Sequence, residues 1–365
     1  MRARHGLVVG KFYPPHAGHH LLVRAASDAC ERVTVVATAA SVESIPLEER
    51  VAWMREVHAA DRNVSVVGIA DDHPVDYASP AAWDAHVRVF CAAIAQVTEE
   101  SVDAVFTSEA YGEELARRFS ARHVAVDPDR ALAPVSGSAV RANPVAHWNL
   151  LEAPVRGGMA RRIVLVGAES TGKSTLAREM AEALAARGGA HARTRWVAEF
   201  GREHATRKLA AARADAALGR RPRPEMEDVA WNEADFVAIA AEQNRREDLE
   251  ARAGGPVLVC DTDAFATSVW HERYRGARSG KVDALATRVP TLYLLAHHDD
   301  VPFEQDGTRD GEKIRAWMTG RFVERLDAEK RPWRWIRGDR GGRLRSALSA
   351  VDEVLAAWRF TAPLG

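Results

Sequence analysis

The chain has 365 residues, 47% of them apolar and 28% charged, which is the make-up of a folded chain with room for two or three domains. A formal net charge of −1 excludes a generally basic nucleic-acid coat and an acidic tail. The near-neutral total hides two unlike halves: residues 1–155 hold 14 Lys+Arg against 20 Asp+Glu, and residues 156–365 hold 36 against 31. Only six of the 50 basic residues are lysines, among them Lys11 and Lys173.

Leu7–Val9, Val33–Ala37, Val64–Ile69, Ala104–Thr107 and His123–Val126 read as short buried strands. His19–Ala29, Leu47–Ala60, Pro80–Ala95 and Gly112–Phe119 between them read as helices. Apolar runs alternating with helical stretches predict a parallel sheet covered on both faces. Pro and Gly between Ala153 and Ala160 predict a linker. A second β/α series follows: strands at Ile163–Val166, Val257–Cys260 and Thr291–Leu295, and helices at Lys173–Arg187, Trp231–Glu250 and Leu344–Phe360. The Arg-rich, poorly periodic segment Arg213–Pro224 reads as a surface loop. The domains are therefore expected at 1–154 and 161–365, both α/β with parallel sheets.

Cys30, Cys91 and Cys260 are too widely spaced for a disulfide framework or a zinc motif, and each sits beside apolar residues. Buried thiols point to a reducing compartment. The longest apolar runs fall far short of the ~20 residues that cross a bilayer. Gly10-Lys11 interrupts what would be a signal-peptide core. A cytoplasmic protein without membrane insertion is expected.

Gly167-Ala168-Glu169-Ser170-Thr171-Gly172-Lys173-Ser174 matches the phosphate-loop pattern G-x-x-x-x-G-K-[ST] without mismatch, between a strand and a helix. The glycines let successive backbone N–H groups, including those of Glu169, Ser170 and Thr171, face an anion. The start of the helix at Lys173-Ser174-Thr175 adds a partial positive charge. Lys173 is placed to reach the β- and γ-phosphates of ATP, and Ser174 to hold Mg²⁺.

Such a site needs a carboxylate. Asp261 and Asp263, at the end of the Val257–Cys260 strand, offer one, for Mg²⁺ through water or for a hydroxyl proton. Glu199 is a second candidate; capping or solvated acids are the alternatives. Arg309, in the polar loop 302–310, fits a lid that closes over ATP.

In the first half, Gly10-Lys11-Phe12-Tyr13-Pro14-Pro15-His16-Ala17-Gly18-His19 follows the first strand. His16 and His19, three apart at a helix start, can aim both imidazoles where the free N–H groups of that helix point. Lys11 adds a point charge to this anion site. Zinc binding competes with this reading but lacks a third ligand at a recognisable spacing. Ser136-Gly137-Ser138, followed by Arg141 one turn on, offers hydroxyl, N–H and guanidinium donors to the same kind of ligand.

The pair GKFYPPHAGH and VSGSAVR resembles the HxGH-type nucleotidyltransferases, whose sheet is Rossmann-like. Over nearly the whole chain, LEERVAWMREV, TSEAYGEELARRF, VDPDRALAPVSGSAVR, VGAESTGKSTLA, CDTDAFATSVW and VPFEQDGTRDG resemble the bifunctional NadR-type family. In that family a nicotinamide-mononucleotide (NMN) adenylyltransferase domain precedes a P-loop ribosylnicotinamide kinase domain.

The resemblance implies that Gly10, Lys11, Phe12, His16, Gly18, His19, Ser136, Ser138 and Arg141 serve ATP, with Ser138 standing where the family usually has Thr. It implies that Arg50 and Trp53 hold the nicotinamide nucleotide, and that Gly167, Gly172, Lys173 and Ser174 serve ATP and Mg²⁺ in the second half. Asp261 or Asp263 would act near the 5′-hydroxyl, Asp261 being the first choice, and Glu199 would touch the nicotinamide riboside. No DNA partner is implied: the first strand begins at residue 7, which leaves no room for the helix-turn-helix domain of some members. Two rival readings stay open: a different nucleotidyltransferase–kinase fusion, and an ATP/NAD sensor with one inactive half. Homo-oligomeric association also stays open.

Overall fold

The computed structural model describes residues 2–305 and 311–364. They fall into two compact units, 1–158 together with the C-terminal 359–365, and 159–358.

In the first unit, strands β1 (Ala3–Gly10), β2 (Cys30–Ala39), β3 (Val64–Ala70), β4 (Ala104–Thr107) and β5 (Arg122–Ala125) form one sheet in the order β3-β2-β1-β4-β5. All its pairings are parallel. Helices α1 (Ala17–Ala29), α2 (Leu47–Val57), α3 (Pro80–Ile94), α4 (Gly112–Arg118) and α5 (Gly137–Ala142) connect or follow the strands. Successive side chains of a strand point to opposite faces, so β1 feeds two cores. Val8 packs with Leu22, Val23, Val51 and Met54 of α1 and α2, while Leu7 and Val9 pack with Trp83, Phe90 and Leu115 of α3 and α4.

The expected linker folds differently. Ala153–Met159 is a short helix, α6, and its Gly158 lies under Trp53, where a Cβ would come within 2.3 Å of the indole. The glycine there serves close packing rather than flexibility.

The second unit has strands β6 (Arg161–Val166), β7 (Arg195–Val197), β8 (Val257–Asp261), β9 (Leu292–Ala296) and β10 (Trp333–Ile336), in the order β10-β9-β6-β8-β7, again all parallel. Its helices are α7 (Lys173–Ala185), α8 (Phe200–Leu218), α9 (Glu233–Ala253), α10 (Ala264–Arg275), α11 (Gly280–Asp283), α12 (Arg315–Ala328) and α13 (Arg340–Ala356). Ile163, Leu165, Met180, Leu184, Val259, Leu294 and Val351 build the core that α7 and α13 close.

Several helix bounds depart from the sequence reading by one to four residues, and two departures have a plain physical reason. The first half of the Arg-rich segment is the end of α8, which buries only Phe200, Leu209 and Ala216 and so shows almost no periodicity. α9 begins at Glu233 because Asn232 and Asp235 exchange side-chain and backbone hydrogen bonds at 3.1 and 3.0 Å, a capping box that leaves Trp231 outside. Among the described residues no helix is long and apolar enough to cross a membrane.

Candidate active sites

The first unit carries a cavity of about 500 Å³ at the C-terminal ends of its strands, where open parallel sheets bind ligands. Its floor is the turn from β1 into α1. His16 caps α1, and its backbone N–H donates to Nδ1 of His19 at 3.3 Å, while the two rings stack with centroids 3.7 Å apart. Since His19 Nδ1 accepts, its proton belongs on Nε2, ready to donate. Burial, followed by the nearby Arg130 and Arg141, lowers His16 to about 4. Burial and the other histidines hold His19 well below its usual value. At neutral pH both rings are therefore neutral donors.

Arg141 donates to Tyr13 O at 2.7 Å and to Ser138 Oγ at 3.2 Å. Ser136 Oγ accepts from Ala139 N at 3.1 Å, capping α5. A Cβ on Gly137 would lie 3.1 Å from Arg141 Nη1 and 4.0 Å from His16 Nε2. The two motifs, about 120 residues apart in sequence, thus meet at one spot. Gly10, Lys11, Gly18, His19, Ser136 and Ser138 also line the cavity, and Phe12, buried, packs edge-on against His19 at 5.0 Å. Lys11 Nζ donates to Leu364 O at 2.6 Å and lies 3.6 Å from Glu43; burial lowers its pKa and Glu43 partly restores it.

Arg50 and Trp53 are not at this cavity. Arg50 is fully buried, bonded to Glu43 Oε2 at 2.6 Å and to the carbonyls of Lys11 and Ile45, each at 3.0 Å. Trp53 is buried against Gly158. Its donors go to Glu43 and to the carbonyls of Lys11, Thr38 and Ile45, so the structure ties Arg50 to the loop that carries Lys11 and does not bring it or Trp53 to the cavity.

Other groups that face the cavity were missed: Asp71 and His73 after β3, His86 and Trp83 on α3, and the stacked pair Tyr77 and Tyr111 at 5.8 Å. Asp71 accepts from His73 at 2.8 Å and from His86 at 2.6 Å. Burial pushes Asp71 up, but the hydrogen bonds from His86 and His73 outweigh it and hold the carboxyl below its usual value. The polar loop following β3, at a strand's carboxyl end, was the available signal.

The second unit carries a cavity of about 310 Å³ around the phosphate loop. Gly167 has φ +142° and a Cβ there would meet Ala296 O at 2.8 Å; Gly172 has φ +74°. Only glycine fits both demands at residue 167. Lys173 is buried with Nζ 2.6 Å from Ala168 O, and burial lowers its pKa against the pull of Glu199, Asp261 and Glu169. Thr171 Oγ1 donates to Ala168 O at 3.0 Å. Ser170, Thr171, Gly172, Ser174 and Thr175 line the cavity. Glu169 lines it too, but accepts from Gly311 N at 2.8 Å and pairs with Arg273 at 3.5 Å. Arg315 and Arg343 brace the loop through the carbonyls of Ser170 and Thr171 at 3.2 and 2.6 Å. Arg309 lies outside the described residues.

The three candidate acids separate cleanly. Asp261 ends β8 in register with Leu165 of β6, hydrogen-bonds Ser174, and keeps Oδ1 buried without a partner among the described residues. Burial raises its pKa; Lys173 and Ser174 oppose the rise. A buried carboxylate oxygen beside the Ser174 hydroxyl suits a divalent cation. Asp263 turns inward instead: Oδ1 caps α10 through Ala266 N at 2.8 Å, and Oδ2 accepts from Tyr293 at 2.6 Å. Both of its oxygens serve the core, and Asp263 does not line the cavity where the acceptor was expected. Of the three, Glu199, just before α8, is the one that lines the cavity. Trp231, Phe236, Trp270 and Tyr274 line the same cavity, with Trp231 stacked on Tyr274 at 5.3 Å and 5.4 Å from Phe236. This aromatic box also escaped the sequence reading, because its members come from the approach to α9, α9 itself and α10.

A family profile for an AAA domain matches residues 162–343. The trifunctional NAD biosynthesis/regulator protein NadR of Salmonella typhimurium is 22% identical, covering 96% of this chain and 83% of its own length. That of Escherichia coli is 23% identical, covering 83% and 71%. Over most of its length the chain is similar to the NadR proteins. Two solved NadR structures share the fold at a TM-score of 0.68. One, in complex with NR, is 20% identical over 98% of this chain and 97% of its own. The other, in complex with NAD and AMP-PNP, is 19% identical over 97% of each. The NadR-type arrangement, a Rossmann-like nucleotidyltransferase fold followed by a P-loop kinase fold, is the one built here.

Proposed function

We propose that the chain is a bifunctional enzyme of NAD synthesis, in which the second unit phosphorylates nicotinamide riboside with ATP and the first joins the resulting NMN to the adenylyl group of ATP. The observation that supports this reading is that each unit gathers its own cluster of N–H, hydroxyl and cationic groups suited to phosphate. His16, His19 and Arg141 converge in one, and Lys173, Ser174 and Asp261 in the other. The NadR relatives solved with NR and with NAD and AMP-PNP support the choice of ligands.

In the kinase unit, the ribose 5′-oxygen attacks the γ-phosphorus while Glu199 takes its proton. The bond to the bridging oxygen breaks and ADP leaves. Lys173 offsets charge on the transferred group. Ser174 Oγ and Asp261 Oδ1 would hold Mg²⁺, which would supply positive charge against the ATP phosphates. Trp231 and Tyr274 offer π-faces to a cationic pyridinium ring.

In the transferase unit, a phosphate oxygen of NMN attacks the α-phosphorus in line, and pyrophosphate leaves with the bridging oxygen. Phosphate is already a competent nucleophile, so the protein positions and neutralises. His16 and His19 donate N–H groups to phosphoryl oxygens, Arg141 supplies a fixed cation, and Lys11 exchanges Leu364 O for phosphate.

The test is to incubate the protein with nicotinamide riboside, ATP and Mg²⁺ and to follow NMN, NAD and pyrophosphate by chromatography. NMN and NAD are both expected. Lys173→Ala should remove NMN formation and spare NAD formation from supplied NMN; His19→Ala should do the reverse. Loss of both activities from either variant, still folded, defeats the two-site reading.

A further inference from the structure

The mechanism above uses His16 and His19 and leaves their neighbour His20 without a task. His20 is fully buried on the first turn of α1. Its Nδ1 lies 3.0 Å from Nε2 of His58, the buried residue that ends α2. His58 Nδ1 in turn lies 2.7 Å from Asp61 Oδ2. The proton assignments follow from the charged end: Asp61 can only accept, so His58 Nδ1 carries a proton and Nε2 accepts. His20 Nδ1 must then be the donor. His20 Nε2 has no partner among the described residues, so the ring is held by that one bond.

The backbone links this chain to the phosphate site. The N–H groups of His19 and His20 both donate to His16 O, at 2.9 and 3.2 Å. A shift of His20 therefore carries the His16 backbone, and with it the N–H that fixes the His19 tautomer. The same turn grips the other end of α1: Asn63 Nδ2 donates to Ser27 O at 2.9 Å and to Cys30 O at 3.0 Å. Residues 58–63 thus clamp α1 at both ends.

We propose that His20 is a positioning residue for adenylyl transfer: the Asp61–His58–His20 chain anchors the first turn of α1, and so sets where His16 and His19 meet the triphosphate. The proposal rests on the transferase reading of the first unit. Reaction rates are sensitive to small displacements of such groups, so the expected effect falls mainly on kcat.

The experiment compares His20→Asn, whose amide N–H sits near the place of Nδ1, with His20→Leu, which has no donor. In His20→Leu, kcat for adenylyl transfer should fall about tenfold with KM for NMN changed less than about twofold. His20→Asn should stay within about threefold of the parent, and kinase turnover by the second unit should be unchanged in both. Asp61→Asn, at the half-exposed far end, guards against a folding defect and should lower kcat about threefold. Full activity of His20→Leu, or an equal loss in His20→Asn, overturns the proposal. If the parent protein shows no adenylyl transfer, the transferase reading is what fails. Positioning is then read from the ATP-induced ¹⁵N shifts of the His16 and His19 rings. Shifts kept in His20→Asn and lost in His20→Leu support it; shifts kept in both overturn it.

Discussion

Arg50 and Glu43 form an ion pair of 2.6 Å in which neither side chain has any exposure. Three backbone carbonyls, of Lys11, Thr38 and Ile45, share the same guanidinium, and Tyr13 lies 4.2 Å beneath it. The pair is the keystone of the loop that carries Lys11 and His16. Removing one partner of a buried pair leaves an uncompensated charge, which costs about 3–5 kcal/mol. Arg50→Met should therefore destabilise the first unit by about that amount, read as a lower denaturation midpoint, and leave kinase turnover intact. A raised KM for NMN at unchanged stability would instead return Arg50 to the acceptor.

In the proposed kinase reaction Glu199 takes the proton and Asp261 holds the cation. Glu199→Gln should lower kcat for phosphorylation by about 10²–10⁴ while ATP still binds. Asp261→Asn should shift the Mg²⁺ concentration needed for half-maximal rate upward. Steady-state rates over a Mg²⁺ series separate the two. A Mg²⁺ shift in Glu199→Gln without a change in saturated kcat would reverse the assignment.

These acids show where the sequence could be read and where it could not. Gly167–Ser174 and Gly10–His19 are runs of consecutive residues whose geometry is local, so both strand-to-helix turns were legible, as were the strand–helix alternation and the two parallel sheets. Asp261 and Asp263, two residues apart at the end of β8, differ in which way they turn, and that is decided by partners from other segments, Ser174 for the one and Tyr293 for the other. Arg50 looks in sequence like any other cation on a helix; its burial is decided by Glu43, Lys11 and Tyr13 from other segments. The aromatic box and the Asp71–His86 pair are assembled across elements and leave no motif. Among the expectations, Arg309 alone lies outside the described residues.

Trp231 and Tyr274 line the kinase cavity as a stacked pair. A cation held against such faces gains about 0.5–2 kcal/mol, or roughly two- to thirtyfold in affinity. Trp231→Ala should raise KM for nicotinamide riboside within that range and leave KM for ATP unchanged. A neutral nucleoside competitor should lose far less from the same substitution. Equal losses for charged and neutral nucleosides would show that the ring contributes area alone.

The two units should respond to pH with opposite slopes. In the first, burial lowers His16 to about 4 and His20 to about 3, from a usual 6.5. Each binds fewer protons folded than unfolded, so its contribution is complete above pH ~6.5 and is lost as pH falls towards 4 and 3. In the second unit, burial and the neighbouring Asp263 outweigh the Arg288 ion pair and raise Glu247 from 4.5 to about 8. Its folded form keeps a proton that the unfolded chain releases, so that contribution is complete below pH ~4.5 and is lost as pH rises through 8. Denaturation of the whole chain, followed by a probe in each unit, should show the first unit weakening from pH 6.5 to 4 while the second strengthens from pH 8 to 4.5. Glu247→Gln should flatten the second slope without touching the first. A first unit whose midpoint is level between pH 6.5 and 4 would mean that His16 and His20 are not buried as neutral rings.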